Sequence, residues 1–261
     1  MTDRLTGANI LVVTGTGTGV GKTVVTAAIA ALAAARGKRV AVLKPAQTGI
    51  RPGGDVPDIE AVTRLSGVTD THELARYPDP LSPEAAARTS GLPPLDPGAV
   101  ADYAAKLAVD RDLVLIEGAG GLLVRYDPEG TTVAHLAARL GAPVLTVASA
   151  GLGTLNHTAL TLEAVAARGL VSAGVVVGRW PRDPGLAERL NLADLQTAAG
   201  GPLAGVLPEG AGRLSRAGFA SVAREGLAPR FGGLHAGKLP RVIDEPGQLG
   251  QHGCSKVTPV T

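Results

Sequence analysis

Thr14-Gly15-Thr16-Gly17-Thr18-Gly19-Val20-Gly21-Lys22-Thr23 is the stretch whose reading decides the fold. Before it stands the apolar run Ile10-Leu11-Val12-Val13, which reads as a buried strand, and after it the alanine-rich run from Val24 to Leu32, which reads as a helix. Strand, glycine-rich turn and Gly-Lys-Thr opening a helix form the context of a phosphate-binding loop. Glycines let the backbone curl so that successive N–H groups point inward at anionic oxygens. The helix N-terminus adds partial positive charge, Lys22 a full one, and the Thr23 hydroxyl can ligate Mg²⁺. The spacing departs from the usual pattern, because five residues rather than four separate Gly15 from Gly21. The plainer alternative, a connector whose lysine and threonine merely start a helix, is set aside by the flanking strand and helix. The stretch predicts binding of a nucleoside triphosphate.

The 261 residues suit one α/β domain, or two small ones, with a sizeable core. Aromatic residues are only 2%, so that core must be built from Ala, Val and Leu. A net charge of +2 and the lack of a basic stripe give nucleic-acid binding no support. The single Cys254 excludes an internal disulfide and suits a reducing cytosol. Met1 to Asn9 is polar, which predicts no signal peptide, and no apolar run approaches the roughly 18 residues of a membrane helix. These readings together predict a cytoplasmic protein without a membrane partner.

Further along, Val40–Leu43 reads as a short strand that Lys44-Pro45 terminates, since proline cannot continue a central strand. A loop from Ala46 to Pro57 leads to a helix from Asp58 up to Gly67. The proline-rich span from Tyr77 to Pro97 reads as an irregular excursion with a short helix at Glu84–Thr89, followed by a helix over 98–108. Strands are then expected at 113–116, 143–147, 171–177 and 202–207, with helices at 132–140, 154–168, 185–198 and 216–224. Short apolar strands alternating with helices predict a single α/β domain over residues 1–232, a mostly parallel sheet covered by helices on both faces. From 233 to 261 periodicity is lost, and that stretch reads as a disordered or appended tail.

Ligands bind outside the carboxyl ends of the strands in such sheets. The phosphate loop, Lys44, Glu117 and the stretch 151–156 all fall there. Mg²⁺ wants oxygen ligands, for which Thr23, Glu117 and Asp58 are the candidates, with Asp55 as rival to Asp58. Gly118, Gly120 and Gly121 leave Glu117 without neighbouring bulk. Lys44 at a strand end would aim into the same crevice, and Thr48 could hydrogen-bond a substrate. Gly153-Thr154-Leu155-Asn156 opens a helix whose free N–H groups could hold a carboxylate, or Thr154 or Asn156 could simply cap it. The five histidines show no ligand spacing.

Four motifs, namely Gly15–Thr23, Lys44-Pro45-Ala46-Gln47-Thr48-Gly49, Glu117-Gly118-Ala119-Gly120-Gly121 and Leu152-Gly153-Thr154-Leu155-Asn156-His157, resemble dethiobiotin synthetase in order and spacing. The likeness covers about residues 9 to 232 and implies a P-loop NTPase-like fold. It implies ATP, Mg²⁺, CO₂ and 7,8-diaminononanoate as reactants and a homodimer with a shared site. Lys22 and Lys44 would flank the transferring phosphoryl group. Thr23, Asp58 and Glu117 would hold the metal. Nucleotide contacts would come from Gly19 to Val24, from Gly118 to Gly120, from Gly178 and Arg179, and from Pro208, Glu209 and Gly210. Thr18, Thr48, Gly120 and Gly121 would contact the diamine, and Gly153 to Asn156 of the neighbouring subunit its carboxylate. Family members often carry an adenine-reading Asn where Gly178 stands, so relaxed selectivity among ATP, CTP and GTP is expected. Some members also place a Tyr near the substrate tail around Asn191, which weakens any carry-over in that helix. Phosphoryl transfer asks for positioning and charge neutralisation rather than a side-chain nucleophile, and none is visible.

Two rivals follow from the same loop. A partition or septum-positioning ATPase would carry a signature lysine where Gly17 stands. A related amide-forming ligase acting on a large acid would add a domain with a nucleophilic cysteine, which Cys254 in a polar tail cannot supply.

Overall fold

The computed structural model describes residues 9–50, 56–235, 243–244 and 248–249. Asp55 and most of the stretch 233–261 lie outside the described residues. The chain builds a seven-stranded sheet. In chain order its strands are β1 (Ile10–Gly15), β2 (Val40–Thr48), β3 (Thr71–Tyr77), β4 (Leu113–Glu117), β5 (Val144–Ala148), β6 (Ser172–Trp180) and β7 (Gly205–Pro208). In space they run β3-β2-β4-β1-β5-β6-β7, and every neighbouring pair is parallel. The helices are α1 (Lys22–Ala34), α2 (Asp58–Ser66), α3 (Pro83–Ser90), α4 (Pro97–Asp110), α5 (Val133–Leu140), α6 (Thr154–Ala166), α7 (Leu186–Ala198) and α8 (Arg216–Gly226). Ile243–Asp244 and Gln248–Leu249 form a separate antiparallel pair.

Strand side chains alternate between faces, and on β1 this sorts the core. Leu11 and Val13 pack with Val25 and Ile29 of α1, Val62 and Leu65 of α2, and Phe219 and Val222 of α8. Ile10 and Val12 pack on the opposite face with Ala86 of α3, Val100 of α4, and Leu136 of α5. At the β5–β7 end, Val175, Val177 and Val206 meet Leu195 of α7. Buried on both faces, β1, β4, β5 and β7 have no polar side to show, which is why they read as apolar runs.

Two expectations about strands are corrected. β2 does not stop at Pro45 but runs on to Thr48. Its ladder with β4 ends at Leu43↔Ile116, so beyond that point β3 is its only neighbour, and a proline there costs little. β3 itself lies in a segment for which no strand was predicted. Its residues, Thr71-His72-Glu73-Leu74-Ala75-Arg76-Tyr77, are mostly polar because it is the sheet edge and only Tyr77 is buried.

Candidate active site

β1 lies between β4 and β5, so the phosphate loop emerges where the chain departs toward both sides of the sheet. Such a switch point opens a crevice at the carboxyl ends of the strands. Thr16 N–H donates to Val147 O (2.9 Å), and Gly118 N–H donates to Val13 O (2.9 Å), so the loops after β1 and β4 are tied to neighbouring strands. Gly21 caps α1 with φ +99°, a left-handed conformation that only glycine adopts without strain. A Cβ on Gly21 would stand 2.6 Å from Gly178 O, and one on Gly178 would stand 2.3 Å from Val20 O. The loop and β6 thus touch backbone to backbone, and no side chain fits at either position.

At the floor of the crevice four side chains converge. Lys44 Nζ lies 2.6 Å from Asp58 Oδ2 and 2.9 Å from Glu117 Oε1. Thr23 Oγ1 is 3.0 Å from Asp58 Oδ1 and 2.8 Å from Glu117 Oε1. The Lys44 side chain is 5% exposed and that of Glu117 2%, so this pair sits in low dielectric, where unpaired charge is costly, while Asp58 is half-buried at 31%. Burial works against the Lys44 ammonium, but the Glu117 and Asp58 carboxylates outweigh it and hold its pKa above the ordinary value. Burial likewise opposes the Asp58 carboxylate, and Lys44 with Thr23 and Lys22 more than offsets it, so its pKa is lowered. Lys22 Nζ donates to Gly17 O (2.9 Å), and burial together with nearby Lys44 lowers its pKa to about 8.

Above this floor opens a cavity of about 920 Å³. Its walls bring together most of the residues singled out by sequence. Thr18, Gly19, Gly21, Lys22, Thr23 and Val24 form one side. Lys44, Thr48, Asp58, Glu117, Ala119 and Gly120 line it as well, with Gly120 beside Thr18, and so do Gly178, Arg179, Pro208, Glu209 and Gly210. Arg179 pairs with Glu209 (2.8 Å) and donates to Gly19 O (3.3 Å), linking the ends of β6 and β7 to the phosphate loop. Val20, Gly118 and Gly121 stand behind the wall: Val20 is in the core, and Gly121 packs on the backbone of Gly15.

The stretch Gly153–Asn156 does not line this cavity. Neither Thr154 nor Asn156 caps α6: Gly153 is the cap residue with φ +89°, and the buried Thr154 hydroxyl donates to Ser149 O (2.7 Å). Asn156 is exposed. Asn191 is buried and donates to Ala150 O and Gly151 O (2.9 and 3.1 Å), so it braces the turn before α6.

Several wall residues were not found by sequence reading. Gln47, Pro80 to Pro83, Arg182 and Arg213 line the cavity. Gln47 was legible as part of a motif, but nothing local gave it a role. The others come from loops whose position depends on packing.

The oxygen donors suit a small hard cation. Thr23, Asp58 and Glu117 supply a hydroxyl and two carboxylates, whereas no group of three or more His, Cys, Asp or Glu among the described residues could hold a metal alone. Mg²⁺ bound through few protein oxygens, completing its shell with phosphate and water, fits that set. The Lys22, Lys44, Asp58 and Glu117 charges also cancel, so they leave a polyphosphate to be neutralised by something else.

Residues 9–212 match a family described as an AAA domain. The ATP-dependent dethiobiotin synthetase BioD of Parafrankia sp. (strain EAN1pec) is 60% identical over 225 residues, covering 86% of this chain and 94% of the relative. That of Frankia casuarinae is 63% identical over 223 residues, covering 85% and 93%. Among solved structures, a ParA family ATPase from Chlorobium tepidum TLS superposes with a TM-score of 0.53 at 13% identity, covering 83% of this chain and 97% of that one. The septum site-determining protein MinD from Pyrococcus horikoshii, complexed with Mg-ADP, gives 0.50 at 17%, covering 82% and 91%. At such identities these two show the fold alone. No helix among the described residues is long and apolar enough to cross a membrane.

Proposed function

The chain belongs to the ATP-dependent dethiobiotin synthetase family, and from that premise we propose how its own residues carry the reaction. It is an ATP-dependent ligase that closes a ring by forming carbon–nitrogen bonds. The reactants are 7,8-diaminononanoate, CO₂ and ATP, and the products dethiobiotin, ADP and phosphate. One amine nitrogen of the diamine bonds to the carbon of CO₂ and loses a proton, giving a carbamate. A carbamate oxygen bonds to the γ-phosphorus as the bond to ADP breaks. The second amine then attacks the carbonyl carbon and loses a proton, phosphate leaves, and the ureido ring is closed.

The cluster of the buried Lys44 and Glu117 with the half-buried Asp58 and Thr23 is the observation that carries this reading. The cavity above it is lined both by the phosphate loop and by Thr48, Ala119 and Gly120. A phosphate on the loop and a carbamate against Thr48 would therefore meet at Lys44. Its ammonium, charged at neutral pH, faces the oxygens on which negative charge develops, the preorganised kind of stabilisation that costs no rearrangement. Lys22 would leave Gly17 O for the nucleotide phosphates. Mg²⁺, when bound by Thr23, Asp58 and Glu117, would neutralise polyphosphate charge. The other cavity-lining side chains would orient the carbamate oxygen toward the γ-phosphorus, positioning being the main demand of phosphoryl transfer. The far carboxylate of the diamine is assigned to Gly153–Asn156 of a second subunit, in a homodimer. Its support is that this helix start lies outside the cavity, with the neighbouring Leu152 92% exposed.

The decisive assay follows ADP release with bicarbonate and the diamine supplied together or singly. One ADP per dethiobiotin, with neither co-substrate sufficient alone, supports the reading. ADP release independent of the diamine would favour a nucleotide switch instead.

A further inference from the structure

We infer that Gln47 is a positioning residue that fixes where Asp58 presents its carboxylate. α2 begins at Asp58, and its cap residue Pro57 has no side chain able to accept a hydrogen bond. The first N–H groups of a helix have no intrahelical partner and need one from elsewhere. Asp58 N–H finds it in Gln47 Oε1, 3.0 Å away on β2. Gln47 is buried, and its Nε2 donates to Thr48 O (3.1 Å), which sets the amide with its oxygen toward α2. The two are eleven positions apart in the chain, so the covalent chain alone does not hold them at this distance.

Asp58 needs that registration. Its two oxygens contact different elements, Oδ1 reaching Thr23 on α1 and Oδ2 reaching Lys44 on β2. A shift of about 1 Å at the start of α2 would break one contact or both, and misplacement on this scale is enough to impair a reacting site. The same amide is bonded to Thr48, on the side where the substrate is proposed to lie. Gln47 thus ties the phosphate-side carboxylate and the substrate-side strand end to one planar group. This inference rests on the reading of Asp58 as a cation ligand.

The test compares wild type with Gln47→Met, which keeps the length and removes the acceptor, and Gln47→Glu, which keeps an acceptor oxygen. Gln47→Asn, too short to reach, replaces the Met variant if that one does not fold. Amide hydrogen exchange at Asp58 is measured without metal, Mn²⁺ binding to the protein with ADP by electron paramagnetic resonance, and turnover against diamine concentration. Gln47→Met should exchange faster at Asp58, bind Mn²⁺ about tenfold more weakly, as loss of an outer-shell partner does, and lose kcat with little change in diamine KM. ADP binding in EDTA should be unchanged, and Gln47→Glu should regain the Asp58 protection. Faster exchange with wild-type Mn²⁺ affinity and kcat would make Gln47 only a helix cap and overturn the inference. A rise confined to diamine KM would make it a substrate contact and overturn it too. If wild type forms no dethiobiotin, the functional reading fails separately, while exchange and Mn²⁺ binding still decide the role of Gln47.

Discussion

At Lys44 a single ammonium both balances two carboxylates and faces the proposed path of the phosphoryl group. Lys44→Ala should therefore lower turnover about a hundredfold or more, the usual loss of one preorganised electrostatic contact. It also leaves Glu117 buried without its cation, and breaking a buried pair in this way destabilises by about 3–5 kcal/mol. A lower melting temperature should accompany the lost rate in steady-state assays, and near-normal turnover would remove Lys44 from the mechanism. Gly178 is a second residue where two demands coincide. Without a side-chain amide there, kcat/KM for ATP should exceed that for CTP or GTP by less than about a thousandfold, since a missing hydrogen-bond partner is what limits discrimination. Installing the family's usual asparagine should not restore selectivity in this chain. A Cβ 2.3 Å from Val20 O must displace the phosphate loop, so Gly178→Asn should weaken binding of every triphosphate in titration calorimetry. Tighter or more selective ATP binding by that variant would refute this.

Among the elements, α2 is held by contacts distant in sequence and the segment after α8 by local ones. Arg64 near the end of α2 donates to Gly212 O (2.5 Å) and Leu214 O (3.3 Å), so the helix that carries Asp58 is braced against the loop beyond the Glu209 wall. Past α8, Leu234 N–H donates to Arg224 O (2.6 Å) and His235 N–H to Leu227 O (2.9 Å), which packs His235 onto the fold. Burial lowers the pKa of that imidazole below 6.5. The fold therefore prefers the neutral ring, and the unfolded chain takes up the proton first as pH falls. The stability from this group is complete above about pH 6.5 and is lost as pH falls from there through the lowered folded-state value. Between about pH 8 and about pH 5.5 the melting temperature of wild type should fall more than that of His235→Gln. Parallel curves would show that His235 does not contribute. At α4 the Asp96 carboxylate accepts from Gly98 N–H and Ala99 N–H (2.8 and 3.1 Å), and Asp96→Ala should cost about 1 kcal/mol in urea unfolding, the typical worth of such a cap. An unchanged midpoint would mean the cap is replaced by water.

At the scale of the whole molecule, the Gly153–Asn156 helix start does not line the cavity of its own chain. If two subunits complete each site, Lys44→Ala and Asn156→Asp damage different halves of it. Asp at 156 would set a negative charge against the substrate carboxylate and raise its KM. Mixed after dissociation and reassembly, the two inactive proteins should form about half mixed dimers, each with one intact site. Roughly a quarter of wild-type activity should then return, as two-fold symmetry requires. No recovery, with mixed dimers demonstrated, would place the whole site in one chain.

The sequence by itself determined the alternation of the apolar strands with helices, the phosphate loop, and Lys22, Lys44, Asp58 and Glu117 as the charges beside it. Those signals are local: apolar runs, glycines and a lysine at fixed spacing. Three things escaped it for a shared reason. β3 is a polar edge strand whose extended form depends on pairing with β2, so no apolar run announces it. Gln47 acts on Asp58 only because β2 continues past Pro45, and Gly178 is closed to side chains only because β6 lies against the phosphate loop. Local propensity says which element forms. Which backbones touch, and hence which residues can act together, is decided when the sheet is assembled and its faces are packed.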